Sequence, residues 1–216
     1  MIAARCVARG VTQWVENPTG GRDRGAAALA RAWAEVLVRP RRLFRSGVAP
    51  GDQAPGLVFA GAVVLVEELT RVATGAAAYP VLSGQPAFST LLFLALAVVL
   101  VAPAALHLTA ALQTLILIAG APDRAGVSET VQVIAYAAAP CVFAGLPYPG
   151  IRVAATAYAS VLLAVGIGDV HSVSLPRAAV LTAVPSALAF GYGFRGFAAL
   201  SELTGLTWAD VAATVA

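Results

Sequence analysis

The chain predicts an all-α fold: a polytopic transmembrane helical bundle of about five spans, preceded by an amphipathic interfacial helix. Three observations carry this reading. Hydrophobic residues make up 59% of the 216 and charged residues only 12%, against roughly a quarter charged in a soluble domain. The mean hydropathy is +0.82. After Arg71 no Asp, Glu, Lys or Arg follows until Asp123, a stretch that no water-facing domain would tolerate. Apolar surface in that excess must face lipid.

Residues 1–24 are polar and glycine-rich around Pro18–Gly21 and read as a flexible arm. They lack the apolar core of a cleavable signal peptide. Val11-Thr12-Gln13-Trp14 makes a natural beginning if Val11 is the initiator, and N-terminal sequencing decides whether residues 1–10 are translated. Residues 25–55 form a basic juxtamembrane segment. In it Leu29, Trp33, Val36, Leu37, Leu43 and Phe44 recur at helical spacing with arginines on the other side. Pro40 should end or kink this helix near Arg39. Such a face suits the membrane interface; the alternative is a cap packed on the bundle.

The membrane domain is expected over 56–198. Its first span is Leu57–Ala78. Its second, Phe88–Ile118, would reach about 46 Å at helical rise, so it must tilt or kink, with Pro103 the natural place. Thr130–Pro147, with Pro140 inside, is the third and Ile151–Gly168 the fourth. The fifth, Arg177–Phe197, contains Pro185 and ends in the aromatic group Phe190, Tyr192 and Phe194, suited to the membrane–water boundary. A short mixed tail covers 199–216. Most arginines precede the first span, which predicts a cytoplasmic amino terminus in the cell membrane.

The run Glu129-Thr130-Val131-Gln132-Val133-Ile134-Ala135-Tyr136-Ala137-Ala138-Ala139-Pro140 resembles the third membrane segment of the Yip-one family. The turn Pro147–Gly150, a further span, a closing span from near Arg177, and the upstream Pro40–Phe44 segment follow that family's order. The resemblance covers roughly 30–197. It implies a bundle of about five spans with a cytoplasmic amino terminus. Eukaryotic members associate with small GTPases, but their Asp-Leu-x-Gly-Pro motif is absent here. The composition looks more like archaeal members.

Within the spans, Glu67, Glu68 and Arg71 stand out, because intramembrane charge is costly. Glu67–Arg71 is an i,i+4 pair and Glu68–Arg71 an i,i+3 pair. Two carboxylates and one guanidinium leave one negative charge, so His107, Arg152 or a proton is expected to complete the cluster. His107 has a second use, bonding a carbonyl near Pro103. Thr109, Gln113 and Thr114 are expected to bond between helices. The candidate membrane-surface residues are Arg31, Trp33, Arg39, Arg41, Arg42, Phe44 and Arg45.

Asp169 and His171 are expected in a solvated turn, two ligands being too few for a metal. Cys141 is expected to pack as a small apolar residue. Gly166, Gly168, Gly191, Gly193 and Gly196 are expected to permit close helix packing or end a helix. No nucleophile elbow, zinc-binding helix or Cys/His pair is present, so no enzyme, cofactor or metal is expected. The expected partners are the bilayer, with anionic lipid a candidate, and other membrane proteins or further copies of the chain. Nucleic acid is excluded by the apolar runs. The leading function is a non-enzymatic scaffold; the alternative is a small carrier or channel subunit using Glu67, Glu68 and Arg71.

Overall fold

A computed structural model of the chain describes residues 25–76 and 79–206. The expected arm over 1–24, Cys6 and the end of the tail, 207–216, lie outside the described residues. Every regular element among the described residues is helical. Helix α1 (Ala26–Val38) stops at Arg39, which adopts φ −136°, ψ 55° before Pro40 opens α2 (Pro40–Gly47). This is the break expected there, because a proline ring disfavours helical geometry in the residue before it. Helix α3 covers Ala54–Ala73.

Helices α4 (Pro86–Leu96) and α5 (Ala102–Gly120) run through a π-helical segment, Ala97–Val101, as one helix of 35 residues. The π segment sits just before Pro103, whose missing N–H forces a local change in the hydrogen-bond ladder. Helix α6 (Val127–Ala137) passes into a 3₁₀ segment, Ala139–Gly145, bent by 43°; Pro140 stands at that bend. Helix α7 spans Pro149–Val170. Helix α8 (Leu175–Ser186) ends in a second π segment, Ala187–Gly193, and α9 covers Gly196–Thr204, crossing the boundary expected at 198.

Pro86–Gly120 and Pro149–Val170 are long and apolar enough to cross a membrane, and the bent pair at 127–145 makes a third if it is one span. Helix α3 carries three charges near its end, and α8 is interrupted by Pro185 and the π segment. The count of about five therefore exceeds what length and apolarity alone supply.

The core is built around α6, whose residues Thr130–Ala137 are all buried. Helices α3, α5 and α7 pack on it; Phe59 meets the Tyr136 ring edge-on at 5.1 Å between centroids. Cys141 is fully buried with a free thiol, as expected. Two glycines allow close approaches within this core. A methyl on Gly166 would stand 2.9 Å from the Phe44 ring, and one on Gly145 would stand 2.3 Å from the Glu67 carbonyl oxygen.

Because that obstacle is backbone, it cannot swing aside. Gly145→Ala should lower stability by about 1–3 kcal/mol, the usual cost of overpacking, read as unfolding in detergent; an unchanged transition would contradict the packing of the 3₁₀ segment on α3.

Candidate functional site

The acidic pair sits late in α3, where its spacing puts both carboxylates on the side facing the end of α8. Glu67 is 2% exposed. Arg71 Nη1 donates to both Glu68 oxygens at 3.1 and 2.9 Å, and its Nε lies 4.0 Å from Glu67. The missing cation is Arg195. Its Nη2 donates to Glu67 at 2.5 Å and to Glu68 at 3.2 Å. Two carboxylates and two guanidiniums thus close to zero formal charge. Tyr79, in the loop after α3, donates its hydroxyl to Glu68 at 2.7 Å. Burial, then that bond, pushes its phenol up to about 12, so it remains a donor.

Arg195 caps α9 from the left-handed region, at φ 60°, a conformation uncommon for a residue with a side chain. Neither sequence candidate fills its place. His107 lies apart: its Nδ1 is 2.7 Å from the Pro103 carbonyl and its Nε2 3.0 Å from Gln53. It pins the helix beside the proline and does not join the charge cluster. Arg152 instead donates to the Ala144 and Leu146 carbonyls and approaches Glu202 at 4.0 Å. Gln113 does bond between helices, to the Leu181 carbonyl at 3.2 Å, whereas Thr114 bonds within its own helix.

The cluster closes one end of a cavity of about 270 Å³. Its walls come from α3, α5, α6 and both π segments, and its polar lining is Glu67, Glu68, Thr109 and Arg195. π turns inside α-helices recur at functional sites.

The basic segment divides between inward and outward faces. Ala28, Ala32, Val36, Leu43 and Phe44 are buried. Trp33 donates its ring N–H to the Ala139 carbonyl at 2.9 Å, and Ala26, Leu29, Ala30 and Trp33 share an apolar groove with Phe59–Val66 of α3. Of the two placements considered, the apolar face is packed on the bundle. Phe44 and Trp33 are therefore turned toward protein, because the close approach at Gly166 and the free carbonyl at the α6 bend receive them. Arg31, Arg39, Arg41, Arg42 and Arg45 are exposed.

The last turn of α7 and the turn after it are not solvated as expected. The Asp169 side chain is 8% exposed and takes Arg45 at 2.8 Å and Arg41 at 3.6 Å. His171 is 1% exposed. Its Nδ1 accepts the Ala125 N–H at 3.1 Å, which leaves Nε2–H to face the Thr130 hydroxyl at 3.3 Å. The arginines of α2 draw the aspartate in, and α6 covers the imidazole. Sequence reasoning also missed Gln132, which pairs with both the N–H and the carbonyl of Ala49, at 3.1 and 2.7 Å. That pair ties the linker before α3 to α6.

The sequence model of the Yip1 domain matches residues 34–194, three quarters of the chain, from the last turn of α1 to the second π segment. The chain belongs to the Yip1 domain family. No curated protein and no solved structure matches it. Yip1 domain proteins are membrane proteins, in agreement with the apolar helices here; Glu67, Glu68 and Arg71 lie inside the matched residues, and Arg195 one residue past the match.

Two measurements probe this geometry. Breaking a buried pair by removing one partner strands a charge, so Arg195→Gln should cost about 3–5 kcal/mol. Denaturation in detergent reads it, and a loss below about 1 kcal/mol, the level of an exposed pair, would contradict the closure. His171 titrates at about 4 in the folded protein, lowered from 6.5 by burial and then by Arg124. The unfolded chain thus binds the proton first. Stability should fall as pH drops from about 6.5 toward 4 and level off below, and His171→Asn should remove that contribution in a pH series of melting curves.

Proposed function

We propose that this Yip1 domain is a non-enzymatic scaffold that organises the bilayer or its protein partners from its arginine-bearing face. The observation that carries this reading is the division of the basic segment. Its apolar side is committed to the bundle, while Arg31, Arg39, Arg41, Arg42 and Arg45 face outward. Each such arginine near an anionic surface contributes about 1 kcal/mol. Other membrane proteins, or a second copy of the chain, are the protein partners this surface would meet.

The same face supports an orientation. Arg41 and Arg45 meet Asp169, and Arg177 lines the hollow beside Asp123 and His171 at that end. At the opposite end Arg71, Arg152 and Arg195 are engaged by Glu67, Glu68 and Glu202. The excess of exposed arginine favours the first end as cytoplasmic, in the cell membrane. Five crossings then correspond to α3, the α4–α5 helix, α6 with its 3₁₀ segment, α7, and α8 with its π segment.

A second reading, a small carrier or channel subunit, draws on the cavity that ends at Glu67 and Glu68. The neutral closure with Arg71 and Arg195 favours the structural role, because it leaves no unbalanced charge in the cluster to bind an ion or a charged substrate. Flux into liposomes that disappears in the Glu67→Gln, Glu68→Gln double variant would reverse this preference.

Deleting residues 25–46 would strip core side chains, so charge substitution is the cleaner test of the scaffold. In nanodiscs of mixed lipid, energy transfer from the protein to headgroup-labelled anionic lipid should exceed that to zwitterionic lipid. Arg39→Gln with Arg41→Gln should reduce the preference by roughly tenfold or more, at about 1 kcal/mol per arginine. An undiminished preference would contradict the proposal.

A further inference from the structure

The cavity beside the charge cluster has features that structural closure does not require. At about 30 Å³ per molecule in liquid, its 270 Å³ equals roughly nine waters. Water needs two to four polar partners to stay, and most of this wall offers none: Ala60, Val64, Leu106, Ile134 and Phe190 are apolar. Both π segments line it, and each places an exposed apolar residue there, Val101 at 58% and Leu188 at 44%. The walls therefore reach the apolar exterior between α5 and α8, the surface that acyl chains would meet in a bilayer. At the polar end, Arg195 spends Nη2 on the two glutamates, while its Nη1 has no hydrogen-bond partner among the described residues and is not sealed off.

We propose that this cavity is a side-entry lipid site. It takes one aliphatic chain of a bilayer lipid, and Arg195 donates to an uncharged oxygen, ester or ether, where that chain joins its head. Three constraints select this occupant. The apolar walls demand a chain and not a polar metabolite. The exit through the exposed apolar side makes the bilayer its source. The glutamates already balance the two guanidiniums, so a further full charge would unbalance the cluster, whereas a neutral acceptor satisfies the spare donor. The site stands independently of the arginine-face scaffold, since its ligand needs no net charge.

The test uses the full chain in liposomes of zwitterionic phosphatidylcholine that carries a photoactivatable diazirine on one acyl chain. Irradiation followed by peptide mapping should concentrate label on residues 97–106 and 188–190, above the level on outer-face residues such as Leu108 and Val180, which are 72% and 75% exposed. Ala105 lines the cavity and Ala104, its neighbour, does not. Ala105→Phe should cut the cavity label by about tenfold, the effect of one lost step of affinity, while Ala104→Phe leaves it unchanged. Label spread evenly over the exposed apolar surface of the unsubstituted protein overturns the proposal without any variant. So does cavity label that survives Ala105→Phe in protein that still elutes and melts as folded. Because phosphatidylcholine carries no net charge, failure here leaves the anionic-lipid preference untouched, and failure of that preference leaves this site untouched.

Discussion

A bundle that commits two carboxylates to its interior must supply two cations to the same place, and the packing of this protein follows from that constraint. Glu67 and Glu68 are fixed by consecutive positions in α3, so their directions are not free. Arg71 comes from the next turn of the same helix and neutralises one. The other, Glu67, requires a residue 128 positions away, Arg195. To deliver it, α8 must end level with the end of α3, and the chain must turn sharply through a left-handed arginine into α9. Coulomb attraction grows as the local dielectric falls, but so does the cost of stripping water from each ion. Such a cluster fixes position more surely than it adds stability.

The neighbouring contacts have the same character. Gly145 lets the 3₁₀ segment close on the Glu67 carbonyl, and Arg152 takes up carbonyls that this short segment leaves exposed. At the other end, Asp169 gathers Arg41 and Arg45, Gln132 holds the linker backbone at Ala49, and His171 joins α7 to the start of α6. Polar groups thus fasten both ends of a bundle whose middle is Ala, Val, Leu and aromatic packing. Lipid supplies little net drive for apolar helices to associate, so such specific contacts and close approaches carry the assembly.

Much of the architecture was legible because it follows from local rules. Prolines at 40, 103 and 140 mark breaks that the backbone must make, and each coincides with an observed helix end, π segment or bend. The apolar runs gave the element order and the resemblance that the family match bears out. The cluster was half legible. Charge counting left one negative charge for His107, Arg152 or a proton to close, and Arg195, which does close it, was not among those candidates. Finding Arg195 needs the register of α7 and α8 against α3, which no local pattern encodes. The buried Asp169 and His171 were missed for the same reason: a polar pair after a span reads as a loop unless its partners are known. The inward turn of Trp33 and Phe44 depended on Gly166 and on a carbonyl freed at a bend far along the chain.

The most direct test of the central claim is to exchange the charges of Glu67 and Arg195 and measure unfolding in detergent. Glu67→Arg alone and Arg195→Glu alone each place like charges together in a buried site, and both should be strongly destabilised. The double exchange keeps the cluster neutral, and it should recover a large part of that loss as coupling between the two positions. Losses that simply add, with no recovery in the double variant, would mean the pair does not hold α3 to the end of α8.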